Sequence, residues 1–106
     1  MTQTQAKPGA RLRRDAPFAA RASEMIKAVG HPIRLRIIAL LCESEQHVSA
    51  LAQRLEAKQS IVSQQLRILR SHSLVDVVRS NGFAYYRIAE PGLRSLVQCI
   101  EGCSEH

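Results

Sequence analysis

The chain lacks the features of a membrane protein and of a thiol enzyme. No apolar run reaches the roughly 18 residues that span a bilayer, and no signal-peptide pattern opens the sequence. There is no Cys-x-x-Cys pair, no Cys-His-Asn set placed by a motif and no phosphate-binding loop. We therefore expect a soluble cytoplasmic protein that is not an enzyme.

Acidic residues are also scarce. Nine Asp and Glu oppose fifteen Lys and Arg, so the formal net charge is +6. A basic domain gains free energy when it releases counterions from a polyanion. With 106 residues, 45% of them hydrophobic and 23% charged, the chain is long enough for one domain around a single core. This balance suits a nucleic-acid partner.

Cysteine is sparse, and the number of cysteines is odd. A chain in a reducing compartment keeps Cys42, Cys99 and Cys103 as thiols. They are therefore candidates for reactivity or metal ligation before they are candidates for a disulfide framework. The alternative is that all three are unreactive packing residues, and Cys42 extends an apolar helical stripe.

Two apolar-periodic segments form the central feature of the chain. Apolar residues recur at helical spacing in residues 48–55 and again in residues 62–69, and a polar break at residues 56–58 separates them. The opposite face of the second segment is polar and basic: Gln59, Ser60, Ser63, Gln64, Arg67 and Arg70. The pattern predicts a helix-turn-helix that presents base-reading and phosphate-binding groups. An ordinary helical hairpin with a solvated face is the alternative.

A β-hairpin is predicted directly after these two helices. Residues 74–79 and 83–88 are rich in β-branched and aromatic side chains, and Asn81-Gly82 between them favours a type I′ turn. Arg79 and Arg87 flank the two strands, and Asn81 lies at the tip. A basic hairpin that follows a helix-turn-helix is typical of a wing.

The remaining segments complete the expected domain organisation. Residues 1–16 are predicted to be a flexible basic arm, and residues 17–106 to be one DNA-binding and dimerisation domain. A helix from Pro17 ends at Gly30, a buried helix follows over residues 31–43, and a short connection leads to His47 at the next N-cap. The expected fold is mainly α with a two-stranded β wing, of the α+β class, in the order helix, helix, helix-turn-helix, hairpin, helix.

The first and last helices carry apolar stripes that one small domain has little room to bury. We expect these stripes to form the interface of a homodimer. The residues assigned to it are Phe18, Ala22, Met25, Leu93, Leu96, Val97 and Ile100.

This order of elements resembles the ArsR/SmtB family of dimeric winged-helix repressors. Residues 27–38 (KAVGHPIRLRII) look like the family's entry motif, and residues 59–69 (QSIVSQQLRIL) look like its recognition helix. Leu74-Val75 and Tyr85-Tyr86 look like parts of its wing. The resemblance implies a homodimer that binds an imperfect palindrome and is released by an inducer. The expected contacts to double-stranded DNA are Lys58, Gln59, Ser60, Ser63, Gln64, Arg67, Arg79, Asn81 and Arg87.

The chain departs from the family pattern at several positions. The family's arsenite-binding Cys-Val-Cys is replaced by His47-Val48-Ser49, and the last helix lacks the Asp-x-His of the zinc site. Lys58 stands where a capping Ser is usual, Glu56 where a Gly is usual, and Gln65 where a His is common. The inducer sites of the best-known members are therefore not expected here.

The three thiols remain as the expected sensing groups. Some family members that respond to oxidants or reactive sulfur use one thiol on each of two helices, so we expect Cys42 to act with Cys99 or Cys103. A soft metal or metalloid ion held by the three cysteines, with His106 as a further ligand, is the alternative. A second alternative is a winged-helix module for protein contacts without specific DNA recognition.

Overall fold

The computed structural model of the chain describes residues 7–103. Within this range six helices and three strands follow one another: α1 (Ala10–Arg14), α2 (Ala16–Val29), α3 (Pro32–Glu43), β1 (Gln46–His47), α4 (Val48–Leu55), α5 (Gln59–Ser71), β2 (Val75–Ser80), β3 (Phe83–Ile88) and α6 (Gly92–Cys103). The molecule is mainly helical with a small antiparallel wing, as predicted.

Helix α3 is the centre of the core. It contacts α2, α4, α5, α6 and β3, and Ile37, Ile38 and Leu41 are almost completely shielded from solvent. Its apolar residues occupy most sides of the helix, which is the pattern of a buried helix. None of the helices in residues 7–103 has the length and apolar character needed to cross a membrane.

The starts of α2 and α3 are capped by side chains. The Asp15 carboxylate accepts a hydrogen bond from the Phe18 amide at 3.0 Å, and His31 Nδ1 accepts one from the Ile33 amide at 3.2 Å. Pro32 occupies the first turn of α3, where its missing N–H leaves no bond unmade. The predicted end of α2 at Gly30 is confirmed.

The predicted flexible arm is wrong for residues 10–16. Ala10–Arg14 is helical and α2 begins at Ala16, one residue before the predicted start. The Arg11 guanidinium lies 3.8 Å from the centre of the Phe18 ring, a cation–π contact that holds α1 against α2. Residues 1–6 lie outside the described residues.

The wing is confirmed, and it contains a strand that the sequence pattern did not predict. Asn81 and Gly82 have φ angles of 51° and 81°, as a type I′ turn requires. Strand β3 pairs with β2 on one side and with β1 on the other, so that Gln46 lies opposite Tyr86. The segment before α4, predicted as a plain connection, is therefore an edge strand. It ties the wing to the start of the helix-turn-helix.

Candidate nucleic-acid interface

Backbone hydrogen bonds define the turn between α4 and α5. The Ala57 amide donates to the Ala52 carbonyl at 3.0 Å, and the Glu56 amide donates to the Gln53 carbonyl at 3.2 Å. This pair of bonds closes the helix in the manner of a Schellman motif. Glu56 adopts the left-handed conformation, with φ 55° and ψ 46°, which a glycine accommodates with less strain.

Helix α5 has one buried face and one polar face. Val62, Leu66 and Leu69 are completely buried against the core. Of the DNA contacts predicted on this helix and its cap, Ser63 is half-buried and the others are exposed: Lys58, Gln59, Ser60, Gln64 and Arg67. The helix contains no acidic residue, so its outward face carries only neutral polar and basic groups.

The N-terminus of α5 is open to solvent. Lys58 occupies the N-cap position but makes no side-chain capping bond, as its replacement of the usual Ser suggested. Its carbonyl accepts bonds from the Ile61 and Val62 amides. The amides of Gln59 and Ser60 have no acceptor in residues 7–103. Free amides at the positive end of a helix dipole favour an anion such as a phosphate.

Arg34 joins the recognition helix to the rest of the fold, and the sequence pattern did not assign it this role. Its Nε donates to the Ala28 carbonyl at 2.5 Å, and its Nη1 donates to Gln65 Oε1 at 2.8 Å. One guanidinium therefore links the last turn of α2 to the middle of α5. The position of Gln65, where the family commonly has His, was the only signal in the sequence.

The two wing arginines differ in their surroundings. The Arg79 guanidinium is exposed and has no hydrogen-bond or ion-pair partner in the described part of the chain. Arg87 Nε donates to Asp76 Oδ1 at 2.8 Å, and Glu45 lies 4.0 Å from the same guanidinium. The hydrogen bond to Asp76 and its negative charge raise the pKa of Arg87 above its ordinary value. Arg87 is therefore a cation paired with a carboxylate of the same wing.

Arginines on the two helices of the helix-turn-helix differ in whether a carboxylate pairs with them. Arg54 on α4 forms a two-bond contact with Glu43, at 2.6 and 3.3 Å. The hydrogen bond from Arg54 and its positive charge lower the pKa of Glu43. Arg67 and Arg70 on α5 have no such partner among residues 7–103. The recognition helix and the strand leading to the wing tip therefore carry positive charge that no carboxylate of residues 7–103 pairs with, as do Arg21 on α2 and Arg36 on α3.

The structure does not bring the three cysteines together. All are free thiols, Cys42 half-buried and the two on α6 exposed. Two contacts show that helix α6 runs antiparallel to α3. Arg94, in the first turn of α6, donates to the Cys42 carbonyl near the end of α3 at 2.8 Å. The second half of α6 lines a groove with the start of α3. Cys99 and Cys103 therefore lie about 7 and 13 Å beyond Arg94 along the axis of α6. A disulfide from either to Cys42 requires Cα atoms within about 7 Å, and such a bridge stays a prediction.

The predicted metal ligands likewise do not form one site. Residues 7–103 contain no group of three or more His, Cys, Asp or Glu side chains arranged to hold a metal ion. His106 lies outside that range. His47 and Ser49, at the positions of the family's two cysteines, contact each other through Nδ1 and Oγ at 2.6 Å. The His47 ring packs against Tyr85, with ring centres 5.7 Å apart.

The expected dimer face needs one correction. Leu93 is completely buried in the core of the single chain and has no surface to offer a partner. Ile100 retains 43% of its exposure and lines the groove between α3 and α6. The other residues assigned to this face are half-buried: Phe18, Ala22, Met25, Leu96 and Val97.

Comparison with known proteins identifies the class. The family model for bacterial regulatory proteins of the arsR family matches residues 31–77. The biofilm growth-associated repressor of Agrobacterium fabrum is 33% identical over 76 residues, which cover 72% of this chain and 65% of that protein. The transcriptional activator HlyU of Vibrio cholerae is 30% identical over 81 residues, which cover 76% of this chain and 75% of HlyU. The chain therefore belongs to the arsR family.

Solved structures agree with this assignment. Reduced HlyU from Vibrio cholerae superposes with a TM-score of 0.77 at 27% identity, covering 83% of this chain and 93% of HlyU. The homodimeric winged helix-turn-helix domain of Mb0332 from Mycobacterium bovis gives a TM-score of 0.76 at 27% identity, covering 95% of this chain and 91% of that domain. Proteins of this family are DNA-binding transcription regulators, not enzymes.

Proposed function

We propose that the chain is a homodimeric, cytoplasmic transcriptional repressor that binds an imperfect palindrome in double-stranded DNA. The observation that carries this proposal is the outward face of α5, which is polar, free of acidic residues and open at its N-terminus. A helix with these groups can enter a major groove and contact base edges. In a two-fold symmetric dimer, two such helices would contact two half-sites.

We assign the predicted DNA-contacting residues to different roles according to their exposure and pairing. Gln59, Ser60 and Gln64 are exposed in the first two turns of α5, so we assign them to base edges. A second set supplies positive charge or wing-tip contacts to the DNA backbone: Lys58, Arg67, Arg79 and Asn81. Because Arg87 is already paired with Asp76, we assign it to the stability of the wing.

The exposed apolar groove and the homodimeric Mb0332 domain support the proposed homodimer. Ile100 on α6 and Ile26 on α2 retain 43% and 58% of their exposure. Burial of such side chains against a second copy contributes hydrophobic free energy. The half-buried residues of α2 and α6 would complete that interface.

Operator binding is tested by fluorescence anisotropy with a labelled duplex from the promoter of the chain's own operon. Gln64→Ala should weaken binding by about 5- to 150-fold, the equivalent of 1–3 kcal/mol, and relax base preference at one position in each half-site. Gln98→Ala, which truncates an exposed amide on α6, is the matched control. Unchanged affinity after Gln64→Ala would contradict the assignment of α5. A wild-type protein without affinity for any duplex would favour the protein-contact module.

The direction of regulation is tested separately, because the Agrobacterium relative is named a repressor and HlyU an activator. A reporter gene fused to the same promoter should rise in expression when the chain is deleted. A fall in expression after deletion would identify an activator.

For the inducer we propose a thiol-directed oxidant or reactive sulfur species that modifies Cys99 and Cys103. Both thiols are exposed, and residues at i and i+4 of a helix have Cβ atoms about 5–6 Å apart. A direct disulfide needs about 4 Å, so a bridge with one additional atom fits the helix better. HlyU, a relative of this chain, has a solved structure in its reduced form.

A soft metalloid such as arsenite is the second candidate, because the same two thiolates could hold it. Mass spectrometry after separate exposure to persulfide, peroxide, arsenite and zinc distinguishes these inducers, with operator binding measured in each condition. The proposal expects a covalent adduct on Cys99 or Cys103 that releases DNA. Release by arsenite or zinc alone would favour the metal alternative. Normal induction of a Cys99→Ser/Cys103→Ser variant in cells would show that these thiols are packing residues.

A further inference from the structure

A cleft lies between the recognition helix and the wing. It encloses about 290 Å³ and is lined by Ser63, Leu66, Arg67, Arg70 and Tyr86. Its floor is Leu66, which is completely buried, and polar groups from α5 and β3 surround the opening. The two hydroxyls, on Ser63 and Tyr86, make no hydrogen bond within residues 7–103.

The cleft contains two positive charges without an opposing negative charge. Arg67 and Arg70 are three residues apart on α5, so their side chains emerge as neighbours. Neither guanidinium has an ion-pair or hydrogen-bond partner in the described part of the chain, and no acidic residue lines the cleft. By contrast, Arg54 and Arg87 each pair with a carboxylate. Two adjacent cations beside two unused hydroxyls form a site for an anion with several acceptor oxygens.

The helix dipole accounts for only part of this arrangement. Arg70 lies in the last turn of α5, where a cation interacts favourably with the negative end of the helix. Arg67 is one turn earlier, and neither the free hydroxyls nor the shape of the cleft follows from the dipole. The dipole explanation also predicts that Arg70 acts on helix stability alone, which distinguishes it from a binding role.

We propose that this cleft holds one phosphate of the DNA backbone, bound jointly by Arg67 and Arg70 and by the hydroxyls of Ser63 and Tyr86. The inference rests on the proposed function. If α5 occupies a major groove and the wing reaches the adjacent minor groove, the strand that separates the two grooves crosses the space between them. Ser63 then contacts the backbone, in agreement with its half-buried position, and leaves base reading to the exposed residues at the start of the helix.

The test is operator affinity as a function of salt concentration, with Arg67→Gln, Arg70→Gln and the double variant. Each single variant should lower affinity, and in the double variant, which leaves the phosphate without a guanidinium, the logarithmic salt slope should become shallower by about 0.9 per protomer. Because both guanidiniums bind one phosphate, the double variant should lose less than the product of the two single losses. Tyr86→Phe, which removes only a hydroxyl, should weaken binding by several-fold at every operator sequence.

Lys27→Gln is the matched control, since it removes one positive charge from α2, outside the cleft. It should leave the salt slope unchanged. Thermal unfolding of each variant shows whether it is folded, so that a loss of operator affinity can be assigned to binding. A wild-type salt slope and wild-type affinity in the Arg67→Gln/Arg70→Gln double variant, with the wild-type protein still bound to its operator, would overturn the cleft proposal and leave the proposed function standing. A wild-type protein without DNA affinity would overturn both.

Inorganic phosphate provides the second arm, because a free anion has the same chemistry. The proposal expects only weak, local chemical-shift changes at Ser63 and Tyr86 when phosphate is added to the isotope-labelled protein, and no displacement of the operator at millimolar phosphate. Tight, Arg70-dependent binding of phosphate that displaces the operator would assign the cleft to a small anion and overturn its assignment to DNA.

Discussion

Replacement of Arg34 by Met should weaken the attachment of the recognition helix to the body of the fold. Met keeps much of the volume of the side chain but removes both donors, so the Ala28 carbonyl and Gln65 Oε1 lose their 2.5 and 2.8 Å bonds. Hydrogen bonds to a charged group contribute about 1.5–3 kcal/mol each when buried. Arg34 and Gln65 are half-buried, so water replaces part of that energy. We expect a loss of about 2 kcal/mol in the free energy of unfolding.

Urea unfolding followed by circular dichroism measures this loss at a fixed protein concentration. With a slope of about 1–3 kcal/mol per molar urea, the midpoint should fall by about 1 M. A double-mutant cycle with Gln65→Met isolates the bond between the two side chains, and its coupling energy should be about 1 kcal/mol. Arg34→Lys should recover only part of the loss, since an ammonium cannot reach both acceptors with the geometry of a guanidinium. A coupling energy within about 0.3 kcal/mol of zero would refute the role assigned to Arg34.

Four further outcomes are expected. Arg79→Ala should weaken binding to all DNA sequences and make the salt slope shallower by about 1 per protomer; an effect confined to one base position would contradict a phosphate contact. Ile100→Asp should abolish dimerisation, seen by analytical ultracentrifugation, and palindrome binding with it, while helical content is retained; a stable dimer would show that the interface lies elsewhere. Glu56→Gly should raise the free energy of unfolding by up to about 1 kcal/mol, because it relieves a left-handed backbone; a loss of stability would indicate a role for the Glu56 side chain. Arg54→Gln should raise the pKa of Glu43, which NMR titration measures; because that pKa is lowered in the folded state, its small stabilising effect is present at neutral pH and is lost as the pH falls through it.

The features that could be predicted from the sequence depend on neighbouring residues along the chain. Helical periodicity in residues 48–55 and 62–69 placed the two helices of the motif, and the buried face of α5 is the one expected. The Asn81-Gly82 turn has both positive φ angles that its residue types favour. These signals are local, because a helix repeats within four residues and a tight turn needs only its two central residues.

The short helix α1 shows the limit of local signals in a basic segment. Residues 10–14 have almost no apolar periodicity, so the pattern indicated a flexible arm. The helix is held by Arg11 on the Phe18 ring and by Arg13 on the Pro8 carbonyl. Contacts of this kind, made by charged side chains, leave no trace in hydrophobic periodicity.

Several features of the candidate site depend on contacts between segments that are distant in the sequence. Strand β1 forms because Gln46 and His47 meet β3 some forty residues later, and the Arg87 cation is paired because Asp76 lies across the hairpin. Leu93 belongs to an apolar stripe, yet periodicity shows which face is apolar and not whether the chain's own core or a second copy covers it.

The arrangement of the three thiols likewise depends partly on local sequence and partly on tertiary packing. Their number and spacing along the chain are evident from sequence, and the i, i+4 relation of Cys99 and Cys103 follows from helical geometry. The direction in which both lie from Cys42 depends on the antiparallel packing of α6 on α3, which Arg94 and the Cys42 carbonyl help to set. Direction of packing is a property of the whole core, because side chains from distant segments must interlock, and no short window of sequence contains it.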